Sequence, residues 1–294
     1  MQDENFHLLH TKPETTRLKH TRILKDYYYI LIVTIVIIVP NSKIVILLQS
    51  ANVVAFIATV IVNSLANTLA LNGRTTGQIS DQYPTLITPA GYVFSIWGVI
   101  YILLFAFIVF QALPKQKEEP FLRKISVFFI LSNVLNISWL FLWHYEQITL
   151  SVIPMFALLA TLIAIYLRLD IGRAKVSLKE KLCVHLPFSV YLGWITVASI
   201  ANVAATLTAI NWDGWGFDAV TWAILVIIIA LLITLTVIVI RSDIGYGLVL
   251  IWAFVGIIVK QIENQNIVIT AGTSAIIIAV ALILVNLKGG SKRS

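Results

Sequence analysis

The 294-residue chain has little charge: Asp, Glu, Lys and Arg make up 12% of it, against 59% hydrophobic residues and a mean hydropathy of +0.91. A water-soluble fold of this length has no core large enough to take up so much apolar sequence, so lipid has to be the solvent. A single cysteine, Cys183, excludes an internal disulfide and a multi-cysteine metal site; near a helix end it reads as an inert small residue. The chain has no fixed-period repeat and no long low-complexity tract, which excludes a solenoid and a sizeable disordered domain. It also lacks a metal-ligand cluster, a Ser-His-Asp set, a phosphate loop and paired carboxylates, so conventional catalysis has no machinery here and the metal expectation is none.

What the chain does have is long apolar runs. Crossing a bilayer takes about 20 apolar helical residues, because each backbone N–H and C=O must be satisfied within the segment. Seven runs meet this by length and scarcity of charge: Ala51–Leu71, Ala90–Leu113, Lys124–Tyr145, Ile148–Leu167, His185–Thr208, Phe217–Ile240 and Asn266–Leu287. An eighth, Tyr246–Val259, is shorter, but it is flanked by glycine, carries Trp252 and has Lys260 to snorkel from its end. The expected fold class is all-α, a polytopic transmembrane helical bundle. Tyr27–Val39 is too short to span before Pro40-Asn41-Ser42-Lys43 interrupts it, and it reads as an appended segment outside the core.

The basic residues test this count, because short loops rich in Lys and Arg stay cytoplasmic. With eight spans and both termini cytoplasmic, only Arg74 and Lys260 of the 21 fall outside. The net charge of +7 therefore reads as topology and contact with anionic lipid. The implied location is the cell membrane, as a multi-pass protein; the lipid bilayer is a partner and nucleic acid is not. No charged residue sits at mid-span, which argues against an ion-coupled pump and leaves neutral-substrate transport open. His144, Glu146 and His185 fall at helix ends, where interfacial solvation is the expectation.

The loop Asn72–Pro89 is rich in turn chemistry and suits a structured cap, and Ala174–Leu182 suits a short surface helix. Inside the spans, aromatic and amide side chains recur at helical spacing. Thr59, Asn63 and Asn67 share one face of the first, and Phe94, Trp97 and Tyr101 one face of the second. Asn136, Trp139 and Trp143 do so in the third, and Tyr191, Trp194, Ala198 and Asn202 in the fifth. Trp97 lies roughly 12 Å below Pro89 along a helix, too deep for an interface belt. Such stripes either hold helices together or line a pocket for a flat, mostly apolar ligand, and spacing alone does not separate the two.

The motifs on these stripes resemble the tryptophan-rich sensory protein family, also called the translocator or peripheral benzodiazepine receptor family. Pro89-Ala90-Gly91-Tyr92-Val93-Phe94-Ser95-Ile96-Trp97, continuing to Tyr101, resembles its second-helix signature. Asn136-Ile137-Ser138-Trp139 resembles its third-helix Asn-x-x-Trp, and Tyr191-Leu192-Gly193-Trp194 through Asn202 its fifth-helix pattern. The resemblance covers about Ala51–Asn211. Tyr92 stands where the family often has Trp, its Gly-Pro before the second Trp is missing, and the fifth-helix proline is Pro187. The first loop reads Asn72-Gly73-Arg74-Thr75-Thr76-Gly77 in place of the usual Lys-Pro type.

The resemblance implies an N-terminal extension over residues 1–50, a five-helix transmembrane domain over 51–212 and a three-helix extension over 213–294. The extension either packs on the core or mediates association, a homodimer included. It implies a membrane receptor or sensor for a hydrophobic small molecule such as a porphyrin, with no other cofactor; a transporter of such molecules is the alternative. The ligand-binding residues it assigns are Trp97, Tyr101, Asn136, Trp139, Tyr191, Trp194 and Asn202, to which the stripes add Phe94 and Trp143. Enzyme activity is not expected; if present, it would be light-dependent porphyrin breakdown with Trp97, Trp139 or Trp194 as electron-rich rings.

Overall fold

The computed structural model describes residues 41–68 and 71–291, so the Tyr27–Val39 run lies outside the described residues. Helix α1 covers Asn41–Asn67 and begins ten residues before the expected start. Lys43 does not stop it, since a single lysine at a helix end can reach polar surroundings on its long stem. A short helix α2, Thr76–Asp81, sits within the first loop, and a 3-10 turn at Gly91–Ser95 leads into α3, Ile96–Ala112. The second span thus has a tight first turn, with Val93 N–H bonding Ala90 O.

Helices α4 (Pro120–His144) and α5 (Ile148–Arg168) form an antiparallel pair. Proline at the first position of α4 starts it without losing a helical bond. Next comes α6, Leu186–Ala209, continued upstream by a π-turn at Lys181–His185 and a helical turn at Leu178–Glu180. The separate surface helix expected through Ala174–Leu182 is therefore the lead-in to α6. Helices α7 (Ala219–Arg241), α8 (Ile244–Lys260) and α9 (Gln265–Ser291) complete the chain. Among the described residues seven helical stretches are long and apolar enough to cross a membrane, and α8 is the shorter eighth. The all-α, polytopic expectation holds.

Residues from Leu48 onward form one compact unit. Its central member is α6, the most deeply buried of the spans, whereas α7 and α9 bury far less of their length. It packs on α5 along one side and on α8 along another, while α9 packs on both α7 and α8. Two glycines let α8 come close. A Cβ on Gly245 would stand 2.6 Å from Ser189 Oγ, and one on Gly256 would collide with Val93 and come within 3.0 Å of Pro89 Cβ. At the start of α8, the buried Asp243 accepts hydrogen bonds from Tyr166 Oη (2.8 Å), Ser189 Oγ (2.5 Å) and Tyr246 N (3.2 Å). That carboxylate binds α8 to both α5 and α6.

His185, expected at the solvated interface, is also buried. The π-turn inserts one residue into the helix and so rotates His185 inward. Ten residues beyond Trp97, about 15 Å along α3, Phe107 meets Phe129 and Phe188 with ring centroids 5.1 Å away in both cases. This phenylalanine layer fills the half of the bundle remote from the first loop.

Candidate ligand site

The site has a roof built by the first loop. Helix α2 begins with a capping box in which Thr75 Oγ1 accepts from Gln78 N while the Gln78 side chain accepts from Thr75 N. The structured cap expected there is present. Trp143 Nε1 donates to Thr76 O (3.2 Å), and Asn72 Nδ2 donates to His144 O (2.6 Å). His144 is wholly buried, with Nδ1 3.1 Å from Leu71 O and Nε2 3.2 Å from Thr76 Oγ1. A carbonyl only accepts, so Nδ1 carries the proton and Nε2 accepts from the hydroxyl. The expectation of a solvated His144 is therefore corrected: the folded loop supplies the partners that water would otherwise provide. Glu146 is half-exposed and pairs with Arg74 at 2.6 Å. In the same loop, burial and secondarily the Glu146 charge push the Tyr83 phenol up.

Beneath the roof the aromatic stripes converge on Trp97. Its ring centroid lies 5.7 Å from Tyr101, 6.0 Å from Tyr191, 6.1 Å from Trp139 and 6.2 Å from Trp194. Trp139 stacks in turn on Trp143 at 5.7 Å, and Phe94 meets Trp194 edge-on at 5.8 Å. Pairs of this kind contribute about 0.5–1.5 kcal/mol beyond their buried area. Asn202 accepts from Trp139 Nε1 and donates to Ser151 Oγ, both at 2.9 Å, which joins α4, α5 and α6. Asn63 donates to Asn136 Oδ1 at 2.9 Å and to Thr59 O at the same distance. Asn67, expected on the same inward face, is exposed and bonded back to Asn63 O, so that stripe stops one turn early.

A small cavity of about 20 Å³ lies at this meeting point. Six of the expected site residues line it: Phe94, Trp97, Trp139, Trp143, Trp194 and Asn202. Tyr101, Asn136 and Tyr191 lie off its wall; Tyr101 and Tyr191 stand behind Trp97. Ser80 and Pro89 from the roof and Val197, Ala198 and Ala201 from α6 complete it. Of these additions only Ala198 lay on a stripe. The small α6 residues carry no chemical signal, and Ser80 enters through the fold of the loop. Three polar atoms around Trp97 have no hydrogen-bond partner among the described residues: Tyr101 Oη, Asn136 Nδ2 and Trp194 Nε1. Each such group costs about 1–3 kcal/mol when left unmatched, and such groups collect where function needs them.

A family model described as TSPO-like protein matches residues 49–284. The chain belongs to the TSPO-like family. The match runs past Asn211, where the motif resemblance stops, and on through α7 and α8 into α9, so the C-terminal helices lie within the matched length of this TSPO-like protein. No curated protein and no solved structure matches the chain. Among the described residues no group of three or more His, Cys, Asp or Glu could hold a metal ion.

Proposed function

We propose that this TSPO-like protein is a receptor or sensor that binds a hydrophobic, flat small molecule of the tetrapyrrole type between the Trp97 cluster and the α2 roof. The observation that carries this reading is the convergence of aromatic rings from α3, α4 and α6 with one amide, Asn202, on a single cavity closed by a folded loop. Ring faces supply stacking area and amides fix orientation. A drug-sized ligand needs a site of roughly 300–1,000 Å³, against about 20 Å³ here. Entry therefore requires the roof to lift and then close again, and the rings must separate to hold the ligand, with the unmatched donor Trp194 Nε1 of a wall residue ready for an acceptor on it.

We place the protein in the cell membrane, with the end carrying Lys124, Arg168 and Arg241 cytoplasmic, by the rule that basic loops stay inside. Its action is binding rather than catalysis in this reading. Titration of the detergent-purified protein with protoporphyrin, followed by Trp fluorescence, tests it. Saturable quenching that weakens at least tenfold in Trp97→Leu and Trp139→Leu is expected. Quenching that does not saturate, or identical curves for all three proteins, refutes the pocket. Loss of porphyrin absorption under light would favour breakdown, and uptake into sealed vesicles would favour transport.

A further inference from the structure

The cavity roof is held from two flanks. On one it is tied to α4 through Trp143 and His144, and to the turn after α4 through the Arg74–Glu146 pair. The other flank is α8, a helix with no residue on the cavity wall. Lys260 Nζ pairs with Asp81 Oδ1 at 2.6 Å, next to the wall residue Ser80. Gln261 Nε2 donates to Thr85 O at 3.3 Å. Ala90 N, next to the wall residue Pro89, donates to Gly256 O at 3.1 Å, a backbone bond between an 89–93 turn and a helix far along the chain. Trp252 Nε1 donates to Val93 O at 3.2 Å, and its ring meets Tyr92 edge-on at 5.4 Å. Four tethers from α8 and the residue that follows it thus grip the segment 81–93 that carries the roof.

We propose that α8 is a strap across the ligand site, and that Trp252, Lys260 and Gln261 are positioning residues that set how often the roof opens. The proposal rests on the pocket reading above, deepening it by giving the C-terminal helices a regulatory role. The far end of α8 is fixed to α5 and α6 through Asp243, and its middle to α6 through the Tyr246 Oη–Thr196 Oγ1 bond at 3.1 Å. With α8 anchored, breaking its outer tethers releases the roof and leaves the helix where it is. Because none of the tether residues lines the cavity, loosening them changes the barrier to entry and exit and leaves the bound contacts intact. A residue that served only the stability of the bundle would lower affinity or yield without raising both rates.

The test uses the full chain in detergent with Cys183→Ser as background and Ser80→Cys as a reporter on the cavity wall, labelled with a water-soluble maleimide. Lys260→Ala is expected to raise the labelling rate about threefold, as for loss of one exposed ion pair. Adding Trp252→Phe and Gln261→Ala is expected to raise it at least tenfold through two lost hydrogen bonds. The charge swap Lys260→Asp with Asp81→Lys should return it to the parent rate. Hydrogen exchange of the 76–93 amides in the same tether variants without the reporter gives a second readout, faster by the same order. Protoporphyrin association and dissociation should both accelerate with Kd changed less than about twofold. Unchanged labelling and exchange in the triple variant overturn the strap. Failure of the parent protein to bind protoporphyrin overturns the ligand reading instead, and leaves labelling and exchange to decide the strap.

Discussion

Asp243→Ala is the substitution that asks most of the structure. The carboxylate accepts from Tyr166 Oη, Ser189 Oγ and Tyr246 N, and it is 6% exposed. Removing it strands two buried hydroxyls and one of the free N–H groups in the first turn of α8, that of Tyr246. The two hydroxyl bonds to the charged group contribute about 1.5–3 kcal/mol each, and the lost helix cap at Tyr246 N about 1 kcal/mol. Against this, the substitution relieves the cost of keeping a carboxylate out of water, which returns several kcal/mol. The balance is a net loss of about 2–4 kcal/mol. Heat-induced unfolding in detergent, followed by Trp fluorescence, should show Tm falling by about 4–16 °C, using about 2–4 °C per kcal/mol. Asp243→Asn keeps one acceptor oxygen and should fall by about half as much. A double-mutant cycle with Tyr166→Phe should show coupling above about 0.5 kcal/mol, because the two residues share one bond. A Tm within about 1 °C of wild type together with no coupling would show that the carboxylate is not what joins α8 to α5 and α6.

Asn202→Leu leaves the Trp139 indole N–H and Ser151 without their partner at the junction of α4, α5 and α6. It should cost about 1–3 kcal/mol, read by thermal unfolding, and should broaden or shift Trp emission; a wild-type Tm would refute this. At the start of α7, hydrogen bonds from the Thr221 side chain and backbone hold the exposed Asp218 carboxyl below its ordinary value. A carboxyl lowered in the folded state stabilises above its unfolded pKa, about 3.9, and loses that contribution as pH falls through its lowered folded value. The advantage of wild type over Asp218→Asn should therefore be complete at neutral pH and fade only below about pH 4, measured by Tm against pH; an advantage that persists in acid would contradict it.

The spans were legible because run length is a property of the chain alone, and their order and basic loops followed with them. The converging stripes were legible for the same reason: Phe94, Trp97, Trp139, Trp143, Trp194 and Asn202 sit at spacings that put them on inward faces. What escaped depends on contacts across long stretches of sequence. Asp243 looks like an ordinary loop residue until Tyr166 and Ser189, 77 and 54 positions away, are seen to donate to it. His144 looks like an interfacial histidine until the loop before it folds back over the helix end. Trp252 reads as a span marker, and only the fold brings it to Val93, 159 positions away. Lys43 looked like a boundary because charge usually ends an apolar run, yet at the very end of a helix it does not.

The half of the bundle away from the roof has a consequence for direction. Below the Trp97 cluster, Phe107, Phe129 and Phe188 close together edge to face. Further on, Gln49 and Gln111 exchange amide hydrogen bonds while Asn52 donates to both Gln111 Oε1 (2.8 Å) and Ser126 Oγ (3.2 Å). A molecule that entered beneath the loop would meet a plug of packed aromatic rings and then a knot of hydrogen-bonded amides. A through-passage would have to undo both, whereas a guest that leaves by the door it came in through disturbs neither. The bundle has the shape of a cul-de-sac.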